Sequence, residues 1–312
     1  MSILTPRDVP LGGLRAMTVR RTLPNRSRTT IGAWCFIDHF GPDEVELTGG
    51  MNIGPHPHTG LQTVTLLFEG EVEHHDSVGS VQVIKPGQVN LMTAGTGISH
   101  SEESTGTVPR LHGVQLWVAL PDADRTVQPF FEHHVSPRTT IGDAQVTVYV
   151  GSLQTDNGII TANPTTFTPL LAAEILAPAG ATLTIPVDPS FEHGVLVDTG
   201  AAEIQGEWAP KDHLAYIDPG VGFLTFVIGD EPTRLLLLGG TPFEEELVMW
   251  WNFIARSHDE VVELRRQWQQ DVIEGVNPDG IFGHVDYAGP SIPAPEMPHV
   301  QLRLRKLPRS HE

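Results

Sequence analysis

A chain of 312 residues, 39% of them hydrophobic, is long enough to bury two separate cores. Its one cysteine, Cys35, excludes an intrachain disulfide. No stretch approaches the roughly 18 apolar residues that cross a bilayer or reads as an export signal, so a cytoplasmic protein without a membrane partner is expected. The formal net charge of −19 is uneven, with six arginines against Asp8 in residues 1–28 and Arg303, Arg305, Lys306 and Arg309 against Glu312 at the other end. That leaves the middle at about −27, a field that repels phosphates and excludes direct nucleic-acid binding through the main surface. The basic ends are expected to pack as strands on the acidic body.

In chain order, the first apolar run, Ala33 to Ile37, encloses Cys35, which reads as a buried, inert thiol. Asp38 and His39 precede the turn Gly41-Pro42, and turn capping accounts for them. Five strands follow at Thr63–Phe68, Val72–Ser77, Val81–Ile84, Val89–Thr93 and Val114–Leu120, separated by breakers such as Glu69-Gly70, Pro86-Gly87 and Gly95-Thr96-Gly97. This even spacing predicts a barrel or jelly roll.

A second block, Leu170–Leu176, Ala181–Ile185, Gly194–Val197, Leu214–Ile217, Gly222–Ile228 and Arg234–Leu238, repeats the plan. The alternation of Leu247, Met249, Trp251 and Phe253 predicts one more strand. Ser257 and Glu260 make a capping box ahead of His258–Trp268, with Val261, Leu264 and Trp268 on one face, so a helix is predicted there. The Pro-rich stretch from Pro290 should be extended. The fold expected is all-β, two jelly-roll barrels with a short helix near the C-terminus. The expected units are residues 1–140, residues 141–290 and a basic tail, 291–312.

Chemistry concentrates at two pairs. His56 and His58 stand at i and i+2, which in extended backbone point to one side. Forty-two residues beyond His58 come His100 and Glu102, again at i and i+2. Four predicted strands lie between the pairs, enough for the chain to wind round a barrel and return beside its start. Three imidazoles and a carboxylate suit an octahedral first-row metal with two positions left open.

The chain resembles the pirin family of the cupin superfamily. The resemblance rests on Arg21-Thr22-Leu23-Pro24, Ile37-Asp38-His39-Phe40-Gly41-Pro42, Pro55-His56-Pro57-His58-Thr59-Gly60, Val83-Ile84-Lys85-Pro86-Gly87, Thr93 through Glu102, and Gly113-Val114-Gln115-Leu116-Trp117-Val118. It runs from about residue 15 to 290, more loosely in the second half. It implies a bicupin with one metal, most often iron, held by His56, His58, His100 and Glu102 in the N-terminal barrel. The ligand types leave nickel, copper, manganese and cobalt open.

This sequence departs from the family in one place that matters. Where many pirins read Glu-Thr-Val, it has Gln62-Thr63-Val64, and a neutral amide cannot serve as a base. The second barrel has His193 and His213 without a paired set and reads as metal-free. His74-His75 and His133-His134 are adjacent residues expected at the solvent. Gln62, His112 and Gln115 are pocket candidates; for His112, hydrogen bonding behind the metal and plain packing are equal readings.

Two functions follow from the resemblance. Pirin-like proteins include quercetinases, flavonol 2,3-dioxygenases that open the heterocyclic ring with O2 and release carbon monoxide, with Glu102 as the catalytic base. Others act as iron-dependent, redox-sensing transcriptional co-regulators. Here the acidic body would require a protein partner. The enzyme reading, with a flavonol or catechol-like substrate and O2, is preferred because the site has open metal positions and a base.

Overall fold

A computed structural model describes residues 1–11 and 17–305; Arg15, Lys306 and Arg309 of the basic ends lie outside them. The first barrel is a sandwich of two antiparallel sheets. One sheet has seven strands, in the order Phe130–Val135, Gln88–Thr93, Leu61–Glu69, Arg110–Ala119, Trp34–Glu44, Met17–Leu23 and Arg7–Leu11. The other has four: Val81–Ile84, Val72–Asp76, Ile98–Ser104 and Asn52–His58. The four strands expected between the histidine pairs are all present.

The second barrel repeats the sandwich. Its larger sheet runs Leu214–Ile217, Glu192–Thr199, Thr233–Gly240, Leu170–Ala177, Ala144–Thr155 and Arg138–Ile141, with Gly158–Ala162 paired to Ala144–Thr155. The smaller sheet holds Thr182–Pro186, Phe223–Ile228, Ala202–Ile204 and Glu207–Ala209. The chain's first strand, Ser2–Leu4, does not join the first barrel; it adds to the second barrel's larger sheet against Leu214–Tyr216.

Period-2 alternation sorts the central strands by face. Val64, Leu66, Val114, Leu116 and Val118 join the cluster that also contains Tyr149, Leu196, Leu214, Leu236 and Leu238, so the two large sheets are cemented face to face. Trp34, fully buried, donates its indole N–H to the Gly239 carbonyl across this seam at 3.0 Å. Cys35 is buried there as expected, and burial pushes its thiol far up.

Beyond the second barrel the chain returns to the first. The strand expected at 247–253 is instead a hairpin, Val248–Trp250 and Phe253–Ala255, because Trp251 turns the backbone with φ of 52°. The predicted helix is present at His258–Trp268, its first turn closed by Ser257 Oγ accepting from the Glu260 N–H. Its Val261 and Trp268 pack with Phe253 and Phe282. The segment after Pro290 carries no helix as far as Arg305. No helix among the described residues is long and apolar enough to cross a membrane.

Candidate metal centre

The histidines meet because of strand register. Asn52–His58 and Ile98–Ser104 pair antiparallel with His100 opposite His56 and Ile98 opposite His58. A bulge at Gly54-Pro55 then slips the register so that Glu102 faces Ile53. Gly54 is required there, since a Cβ would come within 2.8 Å of the Pro290 carbonyl oxygen. On its other edge Ile98–Ser104 pairs with Val72–Asp76, which sets His74 beside Glu102 and Asp76 beside His100.

Ligand atoms of His56, His58 and His100 lie within 4.8 Å of one another, all three side chains buried. Glu102 comes that close to His100 and His74, so it borders the triad through His100. Hydrogen bonds fix the two first rings: His56 Nδ1–H donates to the Gly54 carbonyl at 3.0 Å and His58 Nδ1–H to the Asn252 carbonyl at 3.1 Å. A carbonyl can only accept, so Nε2 of both rings is left as a bare lone pair.

Burial lowers His56 to about 4. Burial and neighbouring imidazoles hold His58 and His100 well below the usual histidine range. These rings are therefore neutral donors near pH 7, the form that binds metal. His58 Nε2 faces His100 Nε2 at 3.2 Å. Two nitrogens that close, with protons disfavoured, are relieved by a shared cation, and the donor set fits a divalent transition metal.

The large sheet closes the site from the other side. Thr65 Oγ1 lies 3.2 Å from Glu102 Oε1 and 2.9 Å from Gln115 Oε1. One hydroxyl has one proton; with the Gln115 amide turned to donate, Thr65 accepts from it and donates to Glu102. Burial raises the Glu102 carboxyl above its usual range, opposed by His74 and by the Thr65 hydroxyl. Trp117 sits edge-on to His58, ring centres 5.1 Å apart, and Phe131 stacks on His74 at 4.5 Å.

Other expected residues are placed differently. His74 is 3% exposed, not at the solvent, because it alternates in phase with buried Val72 and Asp76; His75 points outward. His133 and His134 are half-buried, His133 on Asn90 and His134 on Glu132. Gln62 turns away from the triad and donates to Thr93 Oγ1 and the Thr165 carbonyl. His112, three residues before Gln115 and hence on the opposite face of the strand, points toward the second barrel.

There His112 joins His39 rather than the triad. Asp198 Oδ1 of the second barrel lies 2.6 Å from Nε2 of both imidazoles. Arg234 holds Asp198 Oδ2 at 3.0 Å, and Arg20 and His39 Nδ1 meet Asp212 at 3.0 and 3.2 Å. Burial opposes the Asp198 anion, but hydrogen bonds from His112 and His39 outweigh it and hold the carboxyl below its usual range. Separations of 2.6 Å are hydrogen-bond lengths. With two guanidiniums alongside, this cluster is an ionic seam between the barrels. Asp38 and His39, expected as turn caps, are both buried, and Asp38 pairs with Arg21 at 2.6 Å.

Residues 15–118 match the pirin family and residues 172–274 the pirin C-terminal cupin domain. The chain belongs to the pirin family. A Pseudomonas aeruginosa protein provisionally named a quercetin 2,3-dioxygenase is 42% identical over 297 residues, covering 95% of this chain and 90% of that one. The crystal structure of a quercetin 2,3-dioxygenase from Acinetobacter baumannii matches this pirin with a TM-score of 0.88 at 39% identity, over 98% of each chain. YhhW, an Escherichia coli pirin solved with nickel(II), shares the fold at a TM-score of 0.59 and 20% identity, over 78% of this chain and 99% of its own.

Proposed function

We propose that this pirin is an iron-dependent flavonol 2,3-dioxygenase, with His56, His58 and His100 as neutral ligands and Glu102 as the fourth. The observation that carries the reading is the convergence of three buried imidazoles on one point, with the tautomers of His56 and His58 fixed by backbone carbonyls. The likeness to proteins named as quercetin dioxygenases supports the substrate class. A metal bound there would supply a Lewis acid that acidifies the flavonol 3-hydroxyl and orients it toward O2.

The chain's own residues do the rest. Glu102 takes the hydroxyl proton, and its raised affinity for protons suits that task. Thr65 holds the carboxylate in place, with Gln115 behind it. Gln62 is oriented away and does not compete as a base. Trp117 and Phe131, already packed on the histidines, offer flat apolar surface to an aromatic ligand.

The test is anaerobic loading with Fe(II), addition of quercetin, then admission of O2. Expected are a shift of the flavonol absorption on binding, then oxygen uptake with carbon monoxide release, faster with iron than with nickel, copper, manganese or cobalt. Absence of both signals, with Glu102→Ala behaving like the parent, would sink the proposal.

A further inference from the structure

The backbone fixes His56 and His58 directly, but His100 has no carbonyl behind it. Its Nδ1 lies 3.3 Å from His74 Nδ1, and His74 Nε2 lies 3.1 Å from Asp76 Oδ2. The other carboxylate oxygen, Asp76 Oδ1, accepts the backbone N–H of Val78 at 3.0 Å and of Ser80 at 2.9 Å. Asp76 is 4% exposed and His74 3%.

With His74 as a neutral imidazole, these contacts admit one arrangement of protons. A carboxylate only accepts, so His74 carries its proton on Nε2 and its Nδ1 is a lone pair. That lone pair can only accept, so His100 carries its proton on Nδ1. Nε2 of His100 is then bare and faces His58 Nε2, where a metal would sit. Both nitrogens of His74 are occupied, so it stands behind the ligand shell although it lies within ligand distance of His100 and Glu102. Phe131, stacked on the His74 ring at 4.5 Å, holds its plane.

We infer that Asp76 and His74 are positioning residues that set the tautomer of His100 and so prepare the third imidazole to bind metal. The metal role rests on the reading of the triad as a metal centre; the tautomer does not. Outer partners of this kind are commonly worth about 10–100-fold in metal affinity.

Asp76→Asn is the sharp test, because it changes one atom. The Val78 and Ser80 amides keep an oxygen at the Oδ1 position, so the new NH2 faces His74 Nε2 and donates to it. His74 must then carry its proton on Nδ1 and donate to His100, which is left with a proton on Nε2, aimed at the metal position.

Histidine 15N chemical shifts of the metal-free protein should report a protonated Nδ1 on His100 in the parent and a protonated Nε2 in Asp76→Asn. Cobalt(II) affinity, read by visible absorption against a competing chelator, should fall about 10–100-fold in Asp76→Asn and in His74→Ala. His74→Asn should restore most of it, since its amide oxygen can accept from His100 without help from Asp76. In that background Asp76→Asn should have little further effect, which a merely structural role for Asp76 would not produce.

A protonated Nε2 on parent His100, or an affinity for Asp76→Asn within twofold of the parent, would overturn the inference. A parent with the stated tautomer that binds no cobalt would overturn the metal centre and leave the tautomer assignment standing.

Discussion

The two barrels share one architecture and use their interiors in opposite ways. In the second, the space between the sheets is filled by Val195, Val197, Ile204, Ala215, Ile217, Leu224, Phe226, Leu235 and Leu237. In the first, the corresponding space is divided. One end is apolar, with Phe40, Met51, Leu67 and Leu111, while the other holds four buried histidines with Glu102, Asp76 and Thr65. Polar groups placed in a core contribute little to stability and cost desolvation. The first barrel tolerates them because its outer face is sealed to the second and its histidine-bearing strands are backed by the returning C-terminal segment. Asn252 accepts from His58, Phe282 accepts from Ser99, and Ile292 donates to Pro55.

The largest effect should come from the histidine triad. His100→Ala should reduce bound metal from about one per chain to none, while His193→Ala in the second barrel leaves it unchanged, as read by elemental analysis. Equal loss from both would erase the contrast. Next is the ionic seam: Asp198→Asn leaves two buried imidazoles facing a neutral amide and should cost about 3–5 kcal/mol in urea unfolding. The Asp198 carboxyl is held below its usual range in the folded state. Its contribution is therefore complete above the unfolded value of about 3.9 and is lost as pH falls through the folded one. The parent should weaken with acid below about pH 4 more steeply than the variant.

Packing separates the two interiors further. Leu237→Ala, at a fully buried position in the second barrel, should cost about 2–5 kcal/mol. Thr65→Val in the first should cost about 1 kcal/mol while slowing flavonol turnover. Costs in the reverse order would mean that the polar interior carries the fold. Smallest is Ser257→Ala, which removes the cap of the helix in the returning segment and should cost about 1 kcal/mol, leaving metal content unchanged.

Local pattern made much of this legible. Strand blocks are readable from apolar runs between Gly and Pro breakers, the helix from its capping box, and the meeting of His56 and His58 with His100 from i, i+2 spacing plus the four strands needed to bring the pairs back together. Val72, His74 and Asp76 share one face, and His112 and Gln115 cannot. Two adjacent histidines on a strand face opposite ways, and the phase set by buried Val72 makes His74 the inward one. The seam was out of reach, since His39 and Asp198 are 159 residues apart and no local rule couples two barrels. The hairpin at 248–255 was hidden because its turn uses Trp251, a residue that rarely adopts positive φ.

The strand Ser2–Leu4 has a consequence for how the molecule is made. Synthesis proceeds from the N-terminus at roughly 5–20 residues per second, and domains tend to fold as they emerge. Residues 2–4 are translated well before their partners Leu214, Ala215 and Tyr216. That native pairing must therefore wait until residues 214–216 have been made, and its docking reports that the second barrel has arrived.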